Sequence, residues 1–137
     1  MEEDYRLAHE LDRVLRQIDA KMNRQMARSD TLGVGQMGCL ALTHLSEAQP
    51  CSAQELATRM GRDTSQIGRI LKHLDAKGTI TRVPSTEDKR ATVLGLTAVG
   101  EGFVEELKGV MSGVVDDVCA SLTQKERARL TALLGQI

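Results

Sequence analysis

Residues 52–96 read SAQELATRMGRDTSQIGRILKHLDAKGTITRVPSTEDKRATVLGL, and this stretch decides the fold. A short helix is expected after Ser52, a residue type that caps helix starts, and Gly61 permits the tight break that ends this helix. A second helix is expected after Asp63, and Gly78 is placed to end it. Two short helices separated by a tight break are the pattern of a helix-turn-helix.

A β-hairpin is predicted directly after the second helix. The runs 79–83 and 91–96 are rich in residues that favour strands, and the residues between them are too polar for a core. Lys89 and Arg90 lie at the tip, where a protruding cationic loop suits the narrow minor groove of DNA. Asp88 is expected to support the tip by holding Arg90 with a charge-assisted hydrogen bond. The segment is therefore predicted to be a winged helix-turn-helix that binds duplex DNA.

The second helix has an apolar face and a polar face. Its apolar residues recur at helical spacing and are Ile67, Ile70, Leu71 and Leu74. On the polar face, Gln66 and Arg69 are long enough for bidentate contacts to adenine and guanine respectively. Thr64, Ser65 and Lys72 are better suited to the phosphate backbone. Polar residues at a helix start can equally be caps and solvated surface, and it is the neighbouring hairpin that favours DNA.

Three helix starts have the spacing of a capping box, in which the cap residue and a residue three positions later bond to each other's amides. The pairs are Ser52 with Glu55, Asp63 with Gln66, and Thr123 with Glu126. The last pair predicts a final helix that begins after Thr123 and carries Leu130, Leu133, Leu134 and Ile137.

Several short motifs lie in and around the winged segment. They are Leu56-Ala57, Leu74-Asp75-Ala76-Lys77-Gly78, Arg82, Asp88-Lys89-Arg90, Leu96-Thr97 and Gly100. In this combination they resemble the multiple antibiotic resistance regulator (MarR) family of bacterial transcription factors, by motif over about residues 32–107 and by helix order over the whole chain. Three residues depart from the family pattern: Thr79 replaces a usually apolar residue, and Gly68 and Gly95 weaken a helix and a strand.

The resemblance implies a mainly α fold with a small β-hairpin wing, an α+β arrangement in which dimerisation helices flank the winged helix-turn-helix. We expect a single MarR-like domain over residues 1–137, with the DNA-binding region at 32–97 and the dimerisation helices at 1–31 and 98–137. The resemblance also implies a homodimeric transcriptional regulator, most often a repressor. In such proteins a small phenolic or other amphipathic anion binds between the dimer helices and the winged region and lowers the affinity for DNA.

The flanking segments carry apolar residues at helical spacing. They are Leu7, Leu11, Val14, Leu15, Ile18, Met22 and Met26, then Val99, Phe103, Leu107, Val110, Met111, Val114 and Val118, and finally Leu130, Leu133, Leu134 and Ile137. Since these stripes would leave large apolar patches on a monomer, we expect the terminal helices to pack against a second copy. Two-fold symmetry then predicts a palindromic operator with half-sites about one helical turn apart. The alternative is a helical bundle closed within one chain.

Charge is distributed unevenly along the chain, although the formal net charge of the whole is only −1. Residues 52–90 contain eight Lys and Arg against five Asp and Glu, a net charge of +3. Residues 1–51 contain six against eight and residues 91–137 four against six, so each flank has a net charge of −2. The basic excess therefore lies on the segment assigned to DNA.

Other chemistry has little support. His9, His44 and His73 are scattered over three predicted helices without the spacing of metal ligands. Phosphate-binding and nucleophile motifs are absent from the sequence, so we predict neither an enzyme nor a bound metal or cofactor. No apolar stretch is long enough for a membrane span and the start of the chain is acidic, from which we expect a cytoplasmic protein.

The three cysteines are too few and wrongly spaced for a disulfide framework or a structural zinc site. Cys39 lies in an apolar helical segment and is most simply a small buried hydrophobe. Cys51 immediately precedes a helix start, where amide donors and the helix dipole would lower the pKa of its thiol. Cys51 and Cys119 are therefore candidates for redox sensing, with ordinary structural roles as the alternative.

Two other functions stay open at this point. One is a regulator in which cysteine oxidation, instead of a ligand, releases DNA. The other is a winged-helix module that binds proteins and has lost DNA binding. The first would respond to peroxide, and the second would bind duplexes weakly and without sequence preference.

Overall fold

The computed structural model describes residues 1–87 and 91–137. Over these residues the elements are α1 (Glu2–Ser29), α2 (Gly35–Ala48), α3 (Ala53–Met60), α4 (Thr64–Ala76), β1 (Ile80–Pro84), β2 (Thr92–Leu96), α5 (Ala98–Val118) and α6 (Gln124–Leu134). The prediction of a mainly α fold with a small hairpin is confirmed. Within the described ranges, no helix combines the length and the apolar character that crossing a membrane requires.

The helix starts follow the predicted caps, with one correction. The Ser52 hydroxyl accepts from the Glu55 amide at 3.1 Å, and the Asp63 carboxylate accepts from the Gln66 amide at 2.8 Å. The reciprocal bonds expected from the Glu55 and Gln66 side chains are not formed to described residues, so these two capping boxes were predicted wrongly. The complete box is found at α6, where the Thr123 and Glu126 side chains bond to each other's amides.

The hairpin has a third participant that the sequence did not indicate. β1 and β2 pair antiparallel, with Ile80 opposite Leu96 and Pro84 opposite Thr92. The residue just before the α3 cap, Cys51, pairs with Leu94 of β2, and the two N–H···O distances are 3.2 and 2.7 Å. The start of α3 is thereby fixed to the wing by backbone hydrogen bonds.

The wing also joins α5 at a close contact that explains two motif residues. The Thr97 hydroxyl donates to the Gly78 carbonyl at 2.7 Å and accepts from the Gly100 amide at 3.1 Å. A Cβ atom at Gly100 would overlap the carbonyl oxygen of Thr79, so only glycine fits there. Thr79 is fully buried, and its hydroxyl is satisfied there because it donates to the Leu74 carbonyl at 2.9 Å.

The core is formed around α2, against which α1, α3, α4, α5 and β2 pack. Its fully buried side chains include Leu42, Leu45, Leu56, Ile67, Leu71, Leu74, Leu94 and Leu107. The expectation that both long apolar stripes face a second copy is wrong for α5, because Phe103, Leu107 and Val114 are buried in their own chain. For α1 the expectation stays a prediction, because Leu7, Leu11 and Leu15 in its N-terminal half are exposed. The alternative of a helical bundle closed within one chain therefore describes α5 but not the N-terminal half of α1.

Candidate nucleic-acid interface

α4 buries one side and presents the other to solvent. Its buried residues are Ile67, Leu71 and Leu74. Ser65, Arg69 and Lys72 are exposed and lie opposite these residues on the helix, given a rotation of about 100° per residue. The structure thus brings three of the predicted DNA contacts together on the outermost face.

The other two residues predicted on α4 lie at the edges of this face. Thr64 is exposed in the first turn, whereas Gln66 is half-buried on the flank. A side chain on the flank has less reach towards a groove than one at the centre. The structure therefore gives Arg69 a more direct position than Gln66.

Several cations of this region have no ion-pair partner among the described residues, which is also true of five cations elsewhere, Arg6, Arg24, Arg28, Lys125 and Arg129. Between Arg59 and Arg82 the chain has four basic residues, and none of them forms an ion pair with any residue in 1–87 or 91–137. They are Arg62, Arg69, Lys72 and Lys77. The basic residues on either side of them are paired: Arg59 with Glu47 at 2.8 Å, and Arg82 with Asp75 at 2.6 Å. Positive charge without a carboxylate partner is what a polyanion requires.

Arg62 is a candidate that the sequence reasoning missed. It is exposed in the break between α3 and α4, and its guanidinium lies 3.8 Å from the sulfur of Met37 on α2. This places it next to the first turn of α4, close to Thr64 and Ser65 in sequence. A count of basic residues between the two caps would have identified it.

Two contacts fix α4 relative to its surroundings. Asp75 near its C-terminal end pairs with Arg82 of β1, which the sequence had given only as a motif residue. His73 Nε2 lies 3.0 Å from the carbonyl oxygen of Gly33, in the connection between α1 and α2. α4 is therefore tied both to the wing and to the α1–α2 connection.

The described part of the wing ends short of its predicted tip. The pairing continues to the Ser85 amide, which donates to the Ala91 carbonyl at 2.8 Å. Asp88, Lys89 and Arg90 lie outside the described residues. Their roles in the minor groove stay predictions.

A cavity of about 440 Å³ lies between α2 and α5. Its lining residues are Leu40, Thr43, His44, Glu47, Lys108, Met111 and Ser112. Nδ1 of His44 is buried and has no hydrogen-bond partner among the described residues. Burial, together with nearby Arg59, lowers the pKa of His44, so its imidazole is neutral at pH 7. The cavity thus combines an apolar wall with a neutral imidazole, the carboxylate of Glu47 and the ammonium group of Lys108, which is paired with Glu105 at 3.1 Å.

Of the three cysteines, Cys51 differs from its prediction. Cys51 is only 1% exposed, and burial raises the pKa of its thiol, so the prediction of a lowered pKa is wrong. Burial likewise raises the pKa of Cys39 to about 11, in line with its prediction as a buried hydrophobe. Cys119 is half-buried at the end of α5. Across the described ranges, no three metal-ligating side chains come together.

Comparisons with known proteins agree with this geometry. Residues 39–92 match the model of the MarR family. The chain is 29% identical over 105 residues to the uncharacterized HTH-type transcriptional regulator YdgJ of Bacillus subtilis (strain 168), covering 77% of this chain and 64% of that protein. It is 30% identical over 94 residues to the HTH-type transcriptional regulator BilQ of Clostridium symbiosum (strain WAL-14163), covering 69% of this chain and 65% of that protein.

A solved structure extends the match in fold. A mutant of MarR from E. coli, crystallised as a complex with operator DNA, superposes with a TM-score of 0.73 at 24% identity. This match covers 98% of the chain and 94% of the MarR chain. In sequence, the chain spans just under two thirds of the length of each of the two regulators it matches.

Proposed function

We propose that the chain is a member of the MarR family, whose model matches residues 39–92, and that it is a transcriptional regulator that binds double-stranded DNA through α4 and the wing. The observation that carries this proposal is the outer face of α4, where Arg69 and Lys72 are exposed and have no carboxylate partner among the described residues. Such a face fits a major groove, because it offers hydrogen-bond donors without requiring an internal ion pair to break.

Each side chain of the face has a separate role in this proposal. Arg69, at the centre, reads guanine, and Gln66, on the flank, reads adenine. Thr64, Ser65 and Lys72 contact phosphates and set the register of the helix. Arg62 is added as a further phosphate contact. From the wing, Lys89 and Arg90 reach the minor groove, with Asp88 supporting Arg90.

The proposed assembly is a homodimer on a palindromic operator. On α1, Leu7 and Leu15 are 59% and 58% exposed, and on α6 Leu133 and Leu134 are 48% and 47% exposed. Covering this apolar surface with a second copy stabilises the dimer by the hydrophobic effect. Two-fold symmetry then presents two α4 helices to successive major grooves, about 34 Å apart.

The test begins with selection of the operator from a random duplex library. Arg69→Ala is then expected to cost about 1–3 kcal/mol on the operator and to relax the preference at one base pair. Lys72→Ala is expected to weaken operator and random duplexes alike and to reduce the salt slope by about one. Lys125→Ala removes an exposed charge on α6 and is the matched control. Equal losses on operator and random DNA for both α4 variants would refute the base-reading role.

A small amphipathic anion in the cavity between α2 and α5 is the proposed effector. The support is its position between the winged region and α5, its apolar wall and the Lys108 ammonium, which would exchange its pairing with Glu105 for the anion. The Glu47 carboxylate in the lining is itself paired with Arg59. A ligand there releases DNA only if it favours a dimer whose α4 helices are wrongly spaced. The check is to titrate the operator complex with a phenolic carboxylate, comparing wild type with Met111→Trp, which fills the cavity. Release from both proteins at the same ligand concentration would place the effector elsewhere.

The remaining alternatives have less support. A thiol switch at Cys51 would need an accessible thiolate, whereas this thiol is buried with a raised pKa. Peroxide treatment of the Cys119→Ser variant and of wild type would test the remaining candidate cysteine. A module that binds only proteins would bind duplexes weakly and without sequence preference, which the operator selection tests. The family is one of transcriptional regulators and not of enzymes, and we expect the protein to act in the cytoplasm.

A further inference from the structure

Gly68 is exposed at one edge of the outer face of α4, where it lies between Thr64 and Lys72. It follows Thr64 by one turn and Ser65 by three residues, and it precedes Arg69 by one residue and Lys72 by one turn. Glycine is the poorest helix former after proline, because its backbone loses the most freedom on folding. A glycine here therefore weakens the helix that the proposed function depends on.

Some glycines of the chain have a structural reason to be glycine, whereas Gly68 has none, like Gly102, Gly109 and Gly113 on α5, and differs from those three by its place beside the proposed DNA contacts. Gly61 and Gly78 have φ values of +62° and +69°, which other residues rarely adopt. A Cβ atom at Gly100 would overlap the main chain at Thr79. Gly68 has ordinary helical backbone, and a Cβ atom there would meet no described atom within 4 Å. The folded chain itself thus has room for a side chain at this position.

We propose that Gly68 keeps this space free for the duplex, so that DNA packs directly against the main chain of α4. A side chain at position 68 would stand between Thr64 and Lys72 and hold the helix away from the groove. Hydrogen bonds need donor–acceptor distances close to 3 Å, so the contacts of Ser65 and Arg69 would lengthen together. Gly68 is thereby a specificity-determining residue within the proposed DNA-binding function, on which this inference rests.

The close fit matters for the operator more than for random DNA. Base edges are read only when the helix is fully seated in the groove, whereas phosphate contacts tolerate a looser approach. Filling the space should therefore reduce the ratio of specific to non-specific binding. Substitution of a surface glycine that does not contact DNA would change neither specific nor non-specific binding.

The experiment compares Gly68→Ala and Gly68→Leu with Gly102→Ala, all in the full-length protein. Gly102 is a matched control, because it is an exposed helical glycine on α5 whose Cβ would also meet nothing within 4 Å. Both alanine variants are expected to raise the melting temperature by roughly 4 °C. Gly68→Ala should nevertheless weaken binding to the selected operator about tenfold, Gly68→Leu should weaken it further, and Gly102→Ala should leave it unchanged.

Each outcome bears on the inference. Operator affinity of Gly68→Ala equal to that of wild type would overturn it while leaving the proposed function intact. A lowered melting temperature of Gly68→Ala would also overturn it, because the space would then be needed by the fold. Absence of duplex binding by wild type, even at low salt, would overturn the proposed function and this inference together.

Discussion

α4 and α1 both present an outer face to solvent, and the two faces have opposite chemistry. On α4, Arg69 and Lys72 are exposed without carboxylate partners among the described residues. On α1 the exposed residues include Leu7, Leu11 and Leu15. Two cations of α1 are paired within the helix, Arg13 with Glu10 at 2.6 Å and Arg16 with Asp12 at 2.8 Å, whereas Arg6, Arg24 and Arg28 form no ion pair with a described residue.

The difference indicates what each face is suited to contact. An unpaired cationic face loses little on meeting a polyanion, since no internal ion pair is broken. An apolar face gains most by meeting another apolar surface. The comparison therefore assigns DNA to α4 and a second copy of the chain to α1, and it can be tested by changing one face at a time.

The largest expected effect comes from placing charge on the α1 face. Leu11→Glu combined with Leu15→Glu should convert the dimer to a monomer and weaken operator binding by at least about 100-fold, because the two half-sites are no longer linked. Analytical ultracentrifugation and fluorescence anisotropy measure the two changes. Arg16→Gln on the same helix is the control and should alter neither. A double variant that stays dimeric would show that α1 does not form the interface.

The next effect concerns the close contact between α5 and the start of the wing, where Gly100 lies against Thr79. Gly100→Ala would force α5 away from Thr79, and we expect a loss of about 1–3 kcal/mol in the free energy of unfolding. Urea unfolding gives the value. Gly102→Ala, two residues away, has free space and should not destabilise the chain. Equal stability of the two variants would mean that the helix and the wing are not in close contact.

A smaller effect is expected from the ion pair that joins α4 to the wing. Arg82 and Asp75 are 39% and 44% exposed, so Arg82→Met should cost no more than about 1 kcal/mol of stability. Operator affinity should fall a few-fold, because the wing is held less firmly relative to α4. Arg59→Met, which breaks the ion pair of Arg59 with Glu47, is the comparison variant. A larger loss of operator affinity for Arg59→Met would contradict the positioning role of Arg82.

The smallest effect is a dependence of stability on pH that originates away from both faces. The pKa of His44 is lowered in the folded chain, first by burial and then by Arg59, so protonation favours the unfolded chain. Its contribution to stability is complete above the unfolded-state pKa of about 6.5 and declines as the pH falls towards the folded-state value. Urea unfolding between about pH 7.5 and 5.5 should show this decline. It should be reduced in His44→Gln and retained in His9→Gln, and an identical profile for His44→Gln would contradict it.

Most of the correct predictions from the sequence concern features that are set by residues within one or two turns of each other. The caps at Ser52 and Asp63 begin helices, and Gly78 ends one, because each acts within a single turn of backbone. The buried and exposed faces of α4 follow from helical periodicity alone. These features explain why the fold and the outer face of α4 could be predicted without coordinates.

Contacts between distant residues could not be predicted in the same way. The pairing of Cys51 with Leu94 and that of Arg82 with Asp75 join elements whose relative placement is set by the whole core. The same placement buries Cys51, which reversed the expected direction of its pKa. The apolar stripe of α5 was assigned to a second copy because periodicity shows that a face is apolar but not what covers it.

The most direct measurement is the affinity of the wild-type dimer for its selected palindrome and for random duplex DNA, by fluorescence anisotropy over a range of salt. If α4 reads bases, the palindrome is bound at least about 10³-fold more tightly than random DNA at physiological salt, and both affinities fall steeply as salt increases. Equal affinities for the two duplexes, or no binding at low salt, would contradict the assignment of the α4 face to DNA.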